Sequence, residues 1–305
     1  MKHLVFGLLL LVLLSSAFRI SLFDGHRHNR IEFQLDLNQH PAVYCPAPDS
    51  ARLHSLLFLL EAAELHNVRI GEAAIAAGKL FLGRPYVEKT LEVNEQEKLV
   101  VNLRGLDCTT FLETAIALGR LSKLEHFTQE AYWRELAAFR YIDNWPDGYA
   151  SRLHYFSDWI ATNDDKKRVC DITAMLGGVS YPNQPNFMST HPQAYPALKA
   201  DSSIIPLIAK REQIIGENTF YFIPKDSIPA AEQYIHDGDI IGITTGIDGL
   251  DVVHTGLAIW ENDRIHMLHA SSNAMKVEIT SQPLAEYMQN KKSQTGIMVA
   301  RLVEP

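Results

Sequence analysis

Only three cysteines, Cys45, Cys108 and Cys170, occur in 305 residues, and no two form a CxxC pair. HExxH is missing as well, so the common zinc signatures are absent and neither a metal nor a cofactor is implied. Basic charge is also scarce. The 28 Lys and Arg stand against 36 Asp and Glu, a net −8 with no basic stripe to follow a phosphate backbone, which argues against nucleic acid as a partner. There is no internal repeat. No apolar run reaches the about 20 residues of a membrane-spanning helix. The remainder is ordinary for a folded protein, 47% hydrophobic and 21% charged, and the length allows one large domain or two small ones.

The N-terminus carries the first positive signal. Lys2 and His3 precede an apolar run from Leu4 to Leu14, and Ser15-Ser16-Ala17 follow with small side chains. This is the layout of a secretory signal peptide over residues 1–17. The run is too short for an uncleaved anchor, and no cysteine follows it to take a lipid. The expectation is an exported protein, periplasmic or extracellular, with no stable membrane span once the leader is removed. An oxidising compartment favours disulfides, and an odd count leaves one thiol over. Cys45 and Cys170 are available to bridge and leave Cys108 free, but spacing does not fix the pairing.

Residues 18–48 are polar and end in PAVYCPAPDS, so they read as an arm before a domain spanning 49–305. Asp49 or Ser50 is suited to cap a helix whose Leu53, Leu56, Leu57 and Leu60 recur at helical spacing. A second helix covers about 71–82, ending at Gly83 with Pro85 beyond, and 98–103 has strand character. The segment from about 124 to 235 reads as a large insert. Within it 131–142 and 151–162 look helical, and the Pro- and Asn-rich stretch 180–196 reads as a functional surface loop. After Gly238 the pattern turns to strands at 239–245, 252–260, 264–271 and near the C-terminus, separated by turns at Asp248-Gly249 and Asn262-Asp263. Helices first and an antiparallel sheet afterwards indicate an α+β fold.

RGLDCTTFLETAIAL, residues 104–118, places a cysteine where a loop becomes a helix. Asp107 is a good N-cap, which puts Cys108 at the first helical position and Phe111, Ala115 and Leu118 on the face turned to the sheet. Free N–H groups and the helix dipole there favour a thiolate and can receive an oxyanion. The Asp107 carboxylate opposes the thiolate, so the sign of the net shift stays open. A nucleophilic thiol needs a base, and strand arithmetic selects one. If the last hairpin turns at Asn262-Asp263, opposed residues have numbers summing to 525, so Gly256 faces His269. His254 lies two residues from Gly256 and shares its face, diagonal to His269, whereas His266 faces Ile259 on the other side. His254 is then the base and His269 its orienting partner.

LGRPY (82–86), DCTTF (107–111), HTGLAI (254–259) and HAS (269–271), in that order, resemble the NlpC-type branch of papain-like cysteine peptidases, exported bacterial enzymes that cleave amide bonds in peptidoglycan. GLDCTTF, RLHYFSDWI, NFMSTHPQAYPAL and GLDVVHTG further resemble its N-acetylmuramoyl-L-alanine amidase-like subgroup, over approximately residues 50–303. The resemblance implies Cys108 as nucleophile, His254 as base and His269 as third member, with Tyr86 and Asp107 on the substrate-amine side. It departs from the pattern at Thr109-Thr110, where Ser-Gly is usual, and in the long interval between cysteine and histidines. In that interval Arg152 is expected to clamp a carboxylate or lactyl oxygen. His154 and Tyr155 beside it, and Ser189 and His191 in the Pro/Asn loop, are further candidates for substrate contact. The expected partner is peptidoglycan or a muropeptide. A γ-D-glutamyl–diamino-acid endopeptidase, a transferase that passes the acyl group to an amine, and a non-catalytic wall-binding protein remain as alternatives. Oligomeric state has no signature in the sequence.

Overall fold

The computed structural model describes residues 42–305 apart from 95, 125, 126 and 183. The expected leader and most of the arm lie outside the described residues. Five helices open the chain: α1 (Ala47–Ala62), α2 (Ile70–Lys79), α3 (Cys108–Leu121), α4 (Gln129–Arg140) and α5 (Phe156–Asp165). Two short strands, β1 (Val43–Tyr44) and β2 (Leu99–Val100), pair in parallel, which brings residues 43–44 of the expected arm into the fold. The leucines of α1 fall on one face and are buried. Asp49 does not cap that helix, which starts after Pro46. Its carboxylate is fully buried, accepts the Leu103 N–H at 2.9 Å and pairs with Arg104 at 3.0 Å. It ties α1 to the loop leading into Cys108.

Helix α3 is the central element, buried from Thr110 to Leu121. It packs on α2 through small residues, and at Gly119 an added Cβ would lie 2.7 Å from the Ala74 Cα. Its outer side meets α4, where Glu113 and Arg140 form a buried ion pair at 2.7 Å and Arg140 also donates to the Val100 carbonyl. Phe111, Ala115 and Leu118 share one core with Leu257 and Leu268 of the sheet. Each large side chain buried there contributes roughly 1.5–3 kcal/mol.

The main sheet is built from β3 (Val169–Asp171), β4 (Val179–Ser180), β5 (Tyr221–Pro224), β6 (Ile240–Thr245), β7 (Val252–Glu261), β8 (Arg264–Ser271), β9 (Lys276–Ile279) and β10 (Gln294–Leu302). Its order is β4-β5-β10-β6-β7-β8-β9, with β3 also on β10, and every pairing is antiparallel. The fold is α+β, as the order of elements indicates. The turn between β7 and β8 has both Asn262 and Asp263 at positive φ, the backbone of a tight hairpin whose twist matches its strands. Its register pairs Leu257 with Leu268 and Trp260 with Ile265, the expected sum of 525.

The long interval between cysteine and histidines is not a separate appendage. Strands β3 and β5 extend the main sheet, and α4 covers α3. Short helices α6 (Phe187–Thr190), α7 (Pro196–Ala200) and α8 (Ile205–Gly216) gather around a small core of Tyr155, Met188, Leu198, Ile208 and Ile215. Helices α9 (Ile228–Ala231) and α10 (Leu284–Gln289) pack on the sheet through Ile228 and Leu284. The helix expected over 151–162 begins only at Phe156, because Leu153 and Tyr141 are held in extended pairing between residues 140–142 and 151–153. All three cysteines are free thiols, so Cys45 and Cys170 do not bridge. Each packs separately, Cys45 against the helical core and Cys170 against the sheet.

Candidate active site

Asp107 caps α3 with a full capping box. Its carboxylate accepts the Thr110 N–H and hydroxyl, each at 2.8 Å, while the Thr110 hydroxyl receives the Asp107 N–H at 3.0 Å. Thr110 therefore has a local reason to depart from the small residue usual there. Among the described residues the N–H groups of Cys108 and Thr109, at the first two helical positions, meet no backbone acceptor. Such N–H groups at a helix start are free to receive an anion.

Cys108 shares a cleft of about 100 Å³ with His154, Val253, His254 and Thr255. The opposed effects foreseen at the helix start resolve upward, since burial and then the Asp107 carboxylate push the thiol up to about 11. The Thr255 backbone and the Thr109 hydroxyl, 4.0 Å from the sulfur, pull the other way. At neutral pH Cys108 therefore carries a thiol.

His254 and His269 meet across the hairpin. His254 Nε2 lies 2.5 Å from His269 Nδ1, with the rings nearly perpendicular. Two features of β7 allow this. Val253 is an extra residue opposite β6, because Ile243 pairs with His254 while Thr244 pairs with Val252; such a bulge re-aims the adjacent side chain. Gly256 then gives His269 room, since a Cβ there would lie 2.9 Å from the His269 Cβ and 2.8 Å from the Leu268 oxygen. With Nε2 engaged, Nδ1 is the remaining ring nitrogen of His254, which lines the cleft with Cys108. Burial, then the Lys291 charge, lowers His254 to about 4. Burial, then His254 and Lys291, lowers His269 to about 2. Both rings are neutral at neutral pH. His266 takes no part, its Nδ1 held by the Thr280 carbonyl at 2.7 Å.

The remaining candidates divide. Tyr86 stands near Cys108 and Asp107, whose charges, after burial, raise its hydroxyl pKa. His154 lines the cleft, with its Nε2 on the Tyr149 carbonyl at 2.8 Å and its pKa lowered to about 3 by burial and then Arg152. Arg152 is already occupied: its guanidinium binds both oxygens of Glu97 at 2.7 Å, Glu92 at 2.6 Å and the Leu91 carbonyl. That is a structural tie, and the expected carboxylate clamp has few donors left to work with. Tyr155 donates to Glu212 at 2.7 Å inside the small core, and the Ser189 N–H binds the same carboxylate. His191 is exposed and stacks on Phe187. None of these three lines the Cys108 cleft.

Sequence reasoning passed over Thr255, Tyr287 and Lys291. The Tyr287 ring lies 5.7 Å from that of His269, and Lys291 Nζ sits 3.5 Å from the centre of the Tyr287 ring. Thr255 occupies the unspecified place between His254 and Gly256, and nothing in the short stretch LAEYMQNK marks the other two.

The N-acetylmuramoyl-L-alanine amidase-like family model matches residues 76–297. A solved N-acetylmuramoyl-L-alanine amidase from Bacteroides uniformis superposes with a TM-score of 0.74 at 34% identity, over 77% of this chain and 99% of that one. A Bacteroides fragilis protein, named provisionally as a xylanase, gives 0.70 at 38% identity over 74% and 99%. A Legionella pneumophila protein shares the fold at 19% identity, with a TM-score of 0.64. No curated protein matches. The family match spans the cysteine helix and both histidine strands, and the chain belongs to the N-acetylmuramoyl-L-alanine amidase-like family.

Proposed function

We propose that the protein is an exported cysteine amidase of papain-like, NlpC-type architecture that hydrolyses the bond between a muramoyl carbonyl and L-alanine in peptidoglycan or its fragments. The observation that carries the reading is that a helix-start cysteine and His254 line one cleft, with His269 buried behind His254 and in contact with its ring. In the first half-reaction Cys108 Sγ bonds to the carbonyl carbon while His254 Nδ1 takes the thiol proton. The N–H groups of Cys108 and Thr109 receive the oxyanion. Collapse breaks the C–N bond, and His254 returns the proton to the departing amine, leaving a thioester on Cys108. Water, deprotonated by His254, then releases the carboxylic acid and restores the thiol. His269 accepts the Nε2 proton of His254, so it fixes the tautomer and shares the charge of the transient imidazolium. Removing such a base costs on the order of 10²–10⁴-fold in rate.

Family membership favours the muramoyl–L-alanine bond over the γ-D-glutamyl bond, and export fits a wall substrate. A glycosidase needs two free carboxyl groups about 5–10 Å apart across the scissile bond. Glu92 and Glu97 are bound to Arg152 and the Asp107 carboxylate caps α3, which disfavours that chemistry. Mass spectrometry of a defined muropeptide digested by wild type and by Cys108→Ala tests the proposal. Free L-alanyl peptide from the wild type alone supports it. A cut after D-glutamate, or equal cleavage by the variant, overturns it.

A further inference from the structure

Thr255 stands in β7 between His254 and Gly256 and lines the cleft that holds Cys108 and Thr109. It is only 2% exposed. Its hydroxyl is buried and has no hydrogen-bond partner, and no other residue lining that cleft carries such an atom among the described residues. A native fold seldom leaves a buried hydroxyl unpaired without a use for it. The neighbours show why none of them supplies a partner. Gly242, paired with Thr255 across β6, has no side chain to offer. Strand alternation turns the Thr255 side chain away from the face of His254 and Gly256. It shares the other face with Leu257, which packs in one core with Phe111 of α3, so Thr255 faces the side of the sheet on which Cys108 begins its helix.

We propose that the Thr255 hydroxyl is a catalytic donor reserved for the thiolate that Cys108 becomes as it attacks. The inference rests on Cys108 being the nucleophile of the amidase reading and adds the group that stabilises its charged form. As His254 takes the thiol proton, negative charge appears on Sγ. The hydroxyl keeps its own proton and donates it to the sulfur as a hydrogen bond. That bond lapses once Sγ is committed to the thioester, and it forms again when the acyl group leaves on water and the sulfur departs as a thiolate. A thiol is a weak acceptor, while a bond to an ionised partner is about twice as strong as a neutral one. The interaction is therefore made where charge develops and is nearly absent at rest, which is the condition for lowering a barrier. Burial and the Asp107 carboxylate oppose charge on this sulfur, and the Thr255 side chain is among the groups that work against them.

Thr255→Val removes the hydroxyl and keeps the shape of the side chain. Alkylation of Cys108 by iodoacetamide, followed by peptide mass spectrometry at neutral and mildly alkaline pH, should slow roughly tenfold or more, since a hydrogen bond to a charged group is lost. Thr255→Ser should restore most of that rate. For a muramoyl-peptide, kcat should fall with the alkylation rate while KM stays, because the hydroxyl touches the sulfur and not the substrate. The urea midpoint of Thr255→Val should hold or rise, since an unpaired buried hydroxyl gives way to a methyl group. Alkylation of Thr255→Val at the wild-type rate overturns the assignment. A serine variant as slow as the valine variant does so too, by showing that shape matters and the hydroxyl does not. So does a midpoint that falls in step with the rate, the mark of a packing residue. Failure of the amidase reading appears separately, as muropeptide left uncut by the wild type while the alkylation differences remain.

Discussion

At the scale of single residues, the two depressed imidazoles and the raised thiol set the pH behaviour. Between about 4, where His254 protonates, and about 11, where Cys108 ionises, the free enzyme is thiol and neutral base. The acid limb of kcat/KM should therefore fall near pH 4, well below the about 6.5 of an ordinary imidazole. Lys291→Met removes a cation that helps hold His254 down and should move that limb upward. A wild-type limb at 6.5 that ignores the substitution would show that the pair is more open to water than the structure has it. The histidines themselves separate by register. His269→Ala should lower kcat on the order of 10²-fold or more, while His266→Ala should keep near-normal turnover and lose stability through the unpaired Thr280 carbonyl. Reversed losses in a turnover assay would break the proposed triad.

At the scale of elements, the cysteine helix and the histidine hairpin were legible and their surroundings were not. Asp107 as cap and the 525 register follow from local rules, a capping residue and a two-residue turn, and both hold in the structure. The bulge at Val253 has no local signature, because it arises from how β6 and β7 pair. Strand β9 escaped notice for a similar reason, since four residues at a sheet edge carry too little alternation. Arg152 shows the limit for a side chain: its charge was plain, but Glu92 and Glu97 lie 60 and 55 residues away and only folding brings them to it. Gly256 permits a direct check on the hairpin. Gly256→Ala would place a Cβ 2.7 Å from Met267 Cγ, which should cost roughly 1–3 kcal/mol and lower kcat more than tenfold by parting the imidazoles. Gly246→Ala, whose nearest neighbour would be the Thr295 methyl at 3.4 Å, should leave urea midpoint and turnover nearly unchanged. Equal effects of the two substitutions would contradict the packing argument.

At the scale of the whole molecule, keeping His154, His254 and His269 uncharged makes the fold sensitive to acid. Their folded pKa values, about 3, 4 and 2, lie below the about 6.5 of an unfolded imidazole. The unfolded chain thus binds more protons as pH falls from about 6.5 toward 4, and stability declines across that window. Glu113 and Asp251, buried carboxyls with raised pKa values, pull the opposite way. The histidine contribution is accordingly read as a difference: urea midpoints of His269→Gln should depend less steeply on pH between 6.5 and 4 than those of wild type. Parallel slopes would mean that His269 titrates like a solvated side chain.

The most direct measurement is intact-protein mass spectrometry after acid quench of wild type turning over a defined muropeptide. The account predicts a transient adduct on the Cys108 peptide with the mass of the sugar-bearing acyl fragment, released by hydroxylamine as a thioester. Substrate consumed with no adduct on Cys108, or an adduct with the mass of an alanyl-glutamyl fragment, would contradict it.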